Sequence, residues 1–186
     1  LSVIGADISD IDQSKNEAIF LKRNGVEFIK ADKKTEAQIA RINFYQKNLG
    51  TIKLQEEEKL LNIYYPYSDR TTMSLVLSQP KDDLVVHLGV FIHKAVDVNN
   101  HSTYPIKSTQ AAFNDLEQGN AFVVKNPNNQ QTVEITDVLL GYFIGPDLGI
   151  NPLAQEQKYV MPIYIFHGSN NFVAYVSAVL PTSISN

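Results

Sequence analysis

Apolar positions in the first sixty residues follow two different spacings. Over residues 9–23 they recur near one face of a helix, with a serine at the start and an Asn-Gly pair after the end. Serine accepts hydrogen bonds from the first free amides of a helix, and glycine readily adopts the left-handed conformation that ends one. We therefore predict an amphipathic helix over residues 9–23 and a short extended segment over residues 26–30. Residues 35–48 fit either a helix or a strand, and the pattern leaves both open.

From residue 60 onward the pattern is typical of β-strands, with Tyr, Val and Ile at alternate positions and Asn, Gly and Pro between the segments. Strands are predicted over residues 60–65, 72–77, 84–96, 121–125, 133–143, 158–166 and 172–180. One short helix is predicted between Ser108, as its N-terminal cap, and Gly119. The last two strands are joined by a predicted hairpin loop over residues 168–171. Pro162 has no backbone N–H to donate, so we expect it at a sheet edge or a bulge.

These elements predict an α+β fold of antiparallel meander sheets, each with a helix on one face. A helix-then-strands block occurs twice along the chain, which suggests two related helix-plus-strands units over residues 1–83 and 84–186. No Gly/Ser-rich or Pro-rich linker separates them. We therefore expect a single domain over residues 1–186. The two related units are one way in which this domain could be divided.

Composition excludes several classes of function. At 186 residues the chain can bury about 70% of its unfolded surface, so it needs no disulfide or metal to fold. It carries 16 Lys and Arg against 20 Asp and Glu, a net charge of −4, which argues against a nucleic-acid partner. It has no cysteine, which excludes disulfides, zinc–thiolate sites, iron–sulfur clusters and thiol nucleophiles. No run of about 20 apolar residues is present to span a bilayer.

The remaining candidates for chemistry do not form a recognisable site. None of the four histidines, His87, His93, His101 and His167, has a spacing that places two imidazoles on one metal ion. The acidic run from Asp7 to Asp12 lacks the glycine and the distal glutamate of a calcium loop. No nucleophile elbow or phosphate-binding glycine motif occurs. We therefore predict no catalytic residue, no metal and no cofactor.

The tyrosine-rich run Ile63-Tyr64-Tyr65-Pro66-Tyr67 is the most conspicuous candidate for a surface. Tyrosine combines a large apolar ring with a polar tip, which suits protein interfaces. Tyr64, Tyr65 and Tyr67 are therefore predicted to bind a partner. The alternative is that these rings pack on a sheet face as part of the core.

Four segments in the second half carry a family resemblance. They are Ser108-Thr109-Gln110-Ala111-Ala112, Ile135-Thr136-Asp137-Val138-Leu139-Leu140-Gly141-Tyr142-Phe143, Tyr159-Val160-Met161-Pro162-Ile163-Tyr164-Ile165-Phe166 and Ala174-Tyr175-Val176-Ser177-Ala178-Val179. Together they resemble the YycI family of two-component-system regulators, whose pattern is a Ser-x-x-x-Ala helix, a strand ending in Leu-Gly-Tyr-Tyr, a Pro-x-Trp strand and a Tyr-Val-Asn-Ala strand. Phe143, Tyr164 and Ser177 depart from that pattern. The resemblance covers residues 84–180.

This resemblance implies an extracytoplasmic regulatory domain of a single-pass membrane protein in Gram-positive bacteria, anchored by an N-terminal helix that this chain lacks. Its implied partners are a YycH-like protein and the sensor histidine kinase of the YycFG (WalKR) system, which governs cell-wall metabolism. The family carries no cofactor and no reaction. The absence of an initial methionine at Leu1 agrees with a segment removed upstream. The alternative is an α+β domain that binds a small molecule or peptide, or an enzyme.

Overall fold

The structure is a computed structural model that describes residues 9–54, 57–66, 71–79, 83–129, 131–145 and 159–180. The chain folds as two compact units. The first unit comprises residues 1–47 and 69–95, and the second unit comprises residues 48–68 and 96–186. The chain passes between the two units more than once along its length.

The described residues contain twelve strands and one α-helix. In chain order they are β1 (Glu17–Asn24), β2 (Glu27–Lys30), β3 (Ile39–Phe44), β4 (Thr51–Leu54), β5 (Glu57–Leu60), β6 (Ile63–Tyr64), β7 (Met73–Ser78), β8 (Val85–Phe91), α1 (Thr109–Glu117), β9 (Phe122–Lys125), β10 (Ile135–Phe143), β11 (Met161–Gly168) and β12 (Phe172–Ser177). The α+β class is confirmed, with strands far outnumbering helix. None of the helices among the described residues is both long and apolar enough to cross a bilayer.

The first unit is built on a five-stranded sheet in the order β2-β1-β3-β7-β8, and all four pairings are antiparallel. Its most buried apolar side chains are Ile11, Phe44 and Met73, which pack against half-buried neighbours on the same face. Phe44 and Met73 are direct cross-strand partners, so this core lies where β3 and β7 meet. We refer to this sheet as the first sheet.

The predicted helix over residues 9–23 is wrong. Residues 13–15 form a single 3-10 turn, capped by the Asp12 carboxylate on the Ser14 amide, and residues 17–24 are strand β1. The Asn24-Gly25 pair does not end a helix but begins the turn of a β1–β2 hairpin, with Gly25 at φ +64°. Pairing with β2 and β3 on both sides overrides the helical spacing of the apolar residues.

Other predictions in this unit are confirmed or decided. Residues 26–30 contain strand β2, and the open choice over residues 35–48 resolves as strand β3. The strand predicted over residues 72–77 is present as β7. The one predicted over residues 84–96 is present as β8, which ends earlier, at Phe91.

The second unit contains a five-stranded sheet in the order β6-β10-β11-β12-β9, together with the separate hairpin β4–β5. β6 runs parallel to β10 and the other pairings of the five-stranded sheet are antiparallel. We refer to this as the second sheet. A strand was predicted over residues 60–65, and of these residues only Ile63 and Tyr64, which form β6, belong to the second sheet.

Helix α1 covers one face of the second sheet, as the sequence predicts. The Ser108 hydroxyl accepts a hydrogen bond from the Ala111 amide, and Gly119 follows the helix at φ +79°. Ala112 is fully buried against the face that carries Tyr164 and Phe166. The Lys107 ammonium, itself largely buried, binds the Asp115 carboxylate at 2.6 Å and fastens the helix to the chain before it.

Strands β11 and β12 form the predicted hairpin, whose turn places Asn170 and Asn171 at positive φ. The prediction for Pro162 is wrong, because β11 is an interior strand between β10 and β12. Pro162 pairs with Tyr142, whose amide donates away from it, to the Asn62 carbonyl. On the β12 side, a residue other than proline at position 162 would donate its amide hydrogen to the Ala178 carbonyl. The Lys107 amide donates to that carbonyl instead. The Ala178 carbonyl therefore has a hydrogen-bond donor although Pro162 provides none.

Candidate protein-contact surface

The three predicted tyrosines have different surroundings. Tyr64 lies on β6 and is half-buried, whereas Tyr65 follows the strand and is only 4% exposed. Tyr67 lies outside the described residues. The burial of Tyr65 supports core packing, the alternative interpretation, for that ring. Of the two described tyrosines in the run Ile63–Tyr67, Tyr64 is the one whose ring packs in a group of aromatic side chains that reaches the surface.

Tyr64 belongs to a group of four rings on the face of the second sheet opposite α1. We call it the aromatic cluster, and its members are Tyr64, Phe122, Phe143 and Tyr175. The Tyr175 ring is central, with centroids 6.0 Å from Tyr64, 6.0 Å from Phe143 and 6.4 Å from Phe122. Its contacts with Tyr64 and Phe143 are edge-to-face, the arrangement that the charge distribution of aromatic rings favours.

Gly141 makes room for the Tyr64 ring. A Cβ atom at position 141 would lie 2.5 Å from the Cε2 atom of Tyr64 and 2.9 Å from the Asn62 carbonyl oxygen. Because Phe143, two residues along β10, pairs directly with Tyr64, the ring extends along β10 over the glycine. The absence of a side chain at 141 therefore positions this member of the cluster.

The Tyr175 hydroxyl links the aromatic cluster to the backbone of a neighbouring segment. It donates a hydrogen bond of 3.1 Å to the Tyr65 carbonyl, which joins β12 to the chain after β6. Burial, and to a smaller extent the neighbouring Tyr64, raise the pKa of Tyr175 well above its usual value. Burial also raises the pKa of Tyr64. Both hydroxyls therefore stay neutral at physiological pH, and the cluster offers apolar surface and neutral hydrogen-bonding groups.

The cluster reaches the surface at Phe122. Tyr175 is 6% exposed and Phe122 is 52% exposed, although the two residues are direct partners across β12 and β9. β9 is an edge strand of the second sheet, and its next residue, Val123, is also exposed. A large ring packed against two others at a sheet edge is suited to insertion into an apolar pocket of another protein.

Sequence reasoning found Tyr64 but missed Phe122 as a surface residue. The predicted strand 121–125 contains it, yet nothing in the sequence indicates that this strand lies at an edge beside β12. The only local signal is an aromatic residue at the start of a short strand that ends in Lys125. Edge position is a property of the sheet order, which the sequence alone does not specify.

The four histidines have different surroundings. His93 Nε2 lies 2.7 and 2.8 Å from the two carboxylate oxygens of Asp10, and Gln46 donates to the same carboxylate at 3.0 Å. His87 is hydrogen-bonded to the Ser78 hydroxyl at 2.7 Å, and His101 to the Val98 carbonyl at 3.0 Å. His167 lies near the end of β11. No three His, Asp or Glu side chains of the described residues are grouped so that they could hold a metal ion.

The Asp10 carboxylate instead has a structural role. The Gln46 amide group that donates to it also donates to the Lys94 carbonyl at 2.8 Å. The Lys47 amide donates to the Asp10 carbonyl at 2.7 Å. Asp10 therefore ties together the start of the described chain, the segment after β3 and the segment after β8, all within the first unit.

No protein-family model, curated protein or solved structure matches this chain.

Proposed function

We propose that this chain is a non-catalytic regulatory domain that acts through contacts with other proteins. Its partners in this proposal are a sensor histidine kinase of the cell-wall-sensing type and a YycH-like protein. The observation that carries the contact function is the aromatic cluster, which extends from the buried Tyr175 to the exposed Phe122 at a sheet edge. The resemblance to the YycI family supports the choice of partners.

The cluster has the features of an interface anchor. Aromatic side chains are enriched at the centres of protein interfaces, where a well-packed ring contributes more than its neighbours. Phe122 contacts both Phe143 and Tyr175, so its orientation is set before any partner arrives. A preorganised anchor loses little conformational entropy on binding, which favours affinity.

The segments that resemble the YycI family lie in the same unit as the cluster. They correspond to the start of α1 and to strands β10, β11 and β12. Two of them supply cluster members, Phe143 at the end of β10 and Tyr175 in β12. Phe143 stands where the family has its second tyrosine, so the resemblance and the candidate surface depend on some of the same residues.

Regulation requires that the domain bind one signalling state of the kinase more tightly than another, because equal affinity shifts no equilibrium. In this proposal the domain acts on the outer side of the cell membrane, attached by a single N-terminal helix that lies outside this chain. That residues 1–83 and 84–186 are two related helix-plus-strands units also stays a proposal, and the helix over residues 9–23 does not support it because those residues form a 3-10 turn and strand β1.

The proposal is tested by co-purification of the full-length protein from membranes that also contain the full-length kinase and the YycH-like protein. We expect the wild-type protein to retain both, and the Phe122→Asp variant to lose them, because a charge at the exposed ring cannot enter an apolar pocket. Phe28→Asp is the matched control, since Phe28 is 48% exposed on β2 in the other unit.

Failure to recover either partner with the wild-type protein contradicts the proposal, as does full retention by the Phe122→Asp variant. Equal losses by Phe122→Asp and Phe28→Asp would assign the effect to general destabilisation. A thermal unfolding curve for each variant separates that outcome from a specific one.

A further inference from the structure

The β1–β2 hairpin extends beyond the rest of the first sheet. β1 pairs with β3 only as far as Leu21, whereas its pairing with β2 continues to Asn24. The two-residue turn that follows consists of Gly25 and Val26. β2 is an outer strand of the sheet, and all the residues from 23 to 30 are exposed. The end of this hairpin is therefore a protrusion from the first unit.

The tip of the hairpin is apolar. Val26 is 95% exposed, the largest value for a large apolar side chain in the described part of the chain. Phe28, two residues further along, is 48% exposed. Neither side chain belongs to a hydrophobic core of the described residues, so packing does not account for them. Neighbouring apolar side chains that face solvent usually mark a site of contact with another protein or with a membrane.

Cationic side chains lie beside this apolar tip. Arg23 is the direct cross-strand partner of Phe28, and Lys30 follows Phe28 by two residues, so the three share one face of the hairpin. Arg23 Nε donates to the Gly25 carbonyl at 2.8 Å, which holds the guanidinium near the turn. Glu27 is adjacent to Phe28 in β2 and therefore lies on the opposite face. The face that carries Phe28 thus combines an apolar ring with two positive charges.

Local charge around the hairpin is opposite in sign to that of the whole chain. Residues 21–34 contain five Lys and Arg against two Asp and Glu, whereas the chain carries a net charge of −4. Among the described residues, Lys22 is the one cation of this segment held in ion pairs, with Asp32 and Glu36, both at 2.9 Å. An anionic surface is therefore attracted to this segment and repelled by the remainder of the chain, which favours one orientation.

We propose that the tip of the β1–β2 hairpin inserts into the surface of a membrane that contains anionic lipids. Val26 and Phe28 enter the boundary between head groups and acyl chains, and Arg23 and Lys30 bind lipid phosphates. At about 3.3 Å per residue, Lys30 lies about 13 Å behind Val26. Interfacial segments enter by about 5–10 Å, so this lysine stays among the head groups while the tip is buried.

Shape favours a membrane over an acidic protein as the occupant. A protein that received the tip would need a pocket matched to it, whereas fluid lipid closes around a protrusion of any shape. Val26 is almost fully exposed and has little packing of its own to fix its orientation, in contrast to Phe122, which packs against two rings. This inference does not depend on the proposed kinase partner, since it concerns lipid and the first unit alone.

The first test uses tryptophan fluorescence, because the chain has no tryptophan of its own. The Phe28→Trp variant is mixed with vesicles of phosphatidylglycerol and phosphatidylcholine. We expect its emission to shift to shorter wavelength and to be quenched by lipids with brominated acyl chains, since indole prefers the membrane interface. Phe122→Trp, at a 52% exposed ring in the second unit, is the matched control and should show neither change. An unshifted Phe28→Trp emission, or equal shifts in both variants, would overturn the proposal.

The second test measures flotation of the chain with the same vesicles. Val26→Asp should weaken binding by about tenfold or more, because it replaces the inserted side chain with a charge that anionic lipid repels. Lys30→Gln should weaken binding about fivefold, since a basic residue near an anionic surface contributes about 1 kcal/mol. Lys125→Gln is the matched control and should have no effect, because Lys125 is also the exposed last residue of a four-residue outer strand.

Several results of the flotation test would refute the proposal. A wild-type chain that binds no anionic vesicles does so, and so does one that binds vesicles of phosphatidylcholine alone equally well. Binding to polyglutamate that equals binding to the anionic vesicles would indicate an acidic protein instead. If Val26→Asp misfolds, the fluorescence test and Lys30→Gln still decide. The outcomes are separate from those for the kinase, because Phe122→Asp should still bind vesicles and Val26→Asp should still retain the kinase.

Discussion

At the scale of single residues, Tyr175 is the most connected member of the aromatic cluster. Its ring contacts the three other rings, and its hydroxyl reaches the Tyr65 carbonyl. Gly141 contributes in a different way, because its lack of a side chain leaves the space that the Tyr64 ring occupies. Neither role is visible in the sequence, because Tyr64, Gly141 and Tyr175 belong to three strands that only the folded sheet brings together.

The Tyr175→Phe variant tests the anchoring hydrogen bond. It keeps the ring contacts and removes the hydrogen bond to the Tyr65 carbonyl, so we expect the free energy of unfolding at pH 7 to fall by about 1 kcal/mol. Urea denaturation of both proteins measures this difference. An unchanged free energy would mean that the hydroxyl contributes nothing.

The same variant has an expected signature in alkali. The raised pKa of Tyr175 means that the folded protein keeps this proton when the unfolded chain releases it, above pH of about 10. Wild-type stability should therefore be constant with respect to this group below that pH and decrease above it. The Tyr175→Phe protein should lose stability less steeply over the same interval, and an identical slope would contradict the assigned burial.

At the scale of elements, those with local sequence signals were predicted correctly, whereas those that depend on pairing with distant strands were not. Helix α1 was predictable because its cap at Ser108 and its end at Gly119 are local signals. The β11–β12 hairpin was predictable for the same reason, through its Gly-Ser-Asn-Asn turn. β1 was not, because its four consecutive apolar residues 18–21 fit both periods and only its pairing with β2 and β3 decides.

Segments outside the strands also hold the first unit together, through Asp10. Its carboxylate accepts hydrogen bonds from Gln46 and binds His93, and no local pattern indicates either partner. Asp10→Ala should lower the free energy of unfolding by about 1–3 kcal/mol, since it leaves a partly buried amide group without one of its acceptors. Chemical denaturation of the first unit's tertiary signal provides the measurement.

Asp32→Ala is the matched control for Asp10→Ala. Asp32 also accepts from a cationic side chain, Lys22, at 2.9 Å, but its carboxylate is 84% exposed. Exposed ion pairs contribute little to stability, so this change should have a much smaller effect. Similar effects of the two substitutions would contradict the role given to Asp10.

At the scale of the whole molecule, each unit carries its own exposed apolar edge. The second unit has β9 with Phe122, backed by the aromatic cluster, and the first unit has the uncharged β8. The sequence predicted the α+β class and one ring of the candidate surface, Tyr64. It did not predict Phe122 or β8 as edges, because strand order depends on contacts between residues far apart in the chain. The position of Pro162 in an interior strand was not predictable for the same reason. The Lys107 amide, which donates to the Ala178 carbonyl in place of an amide at position 162, lies far from Pro162 in the chain.

The most direct test of the proposed function is the affinity of the purified chain for the purified extracytoplasmic domain of the kinase, measured by titration calorimetry. We expect saturable binding that Phe122→Asp weakens by about tenfold or more, because an aromatic anchor is lost, and we expect Phe28→Asp to bind as the wild type does. Absence of binding by the wild-type chain, or equal binding by the Phe122→Asp variant, would contradict it.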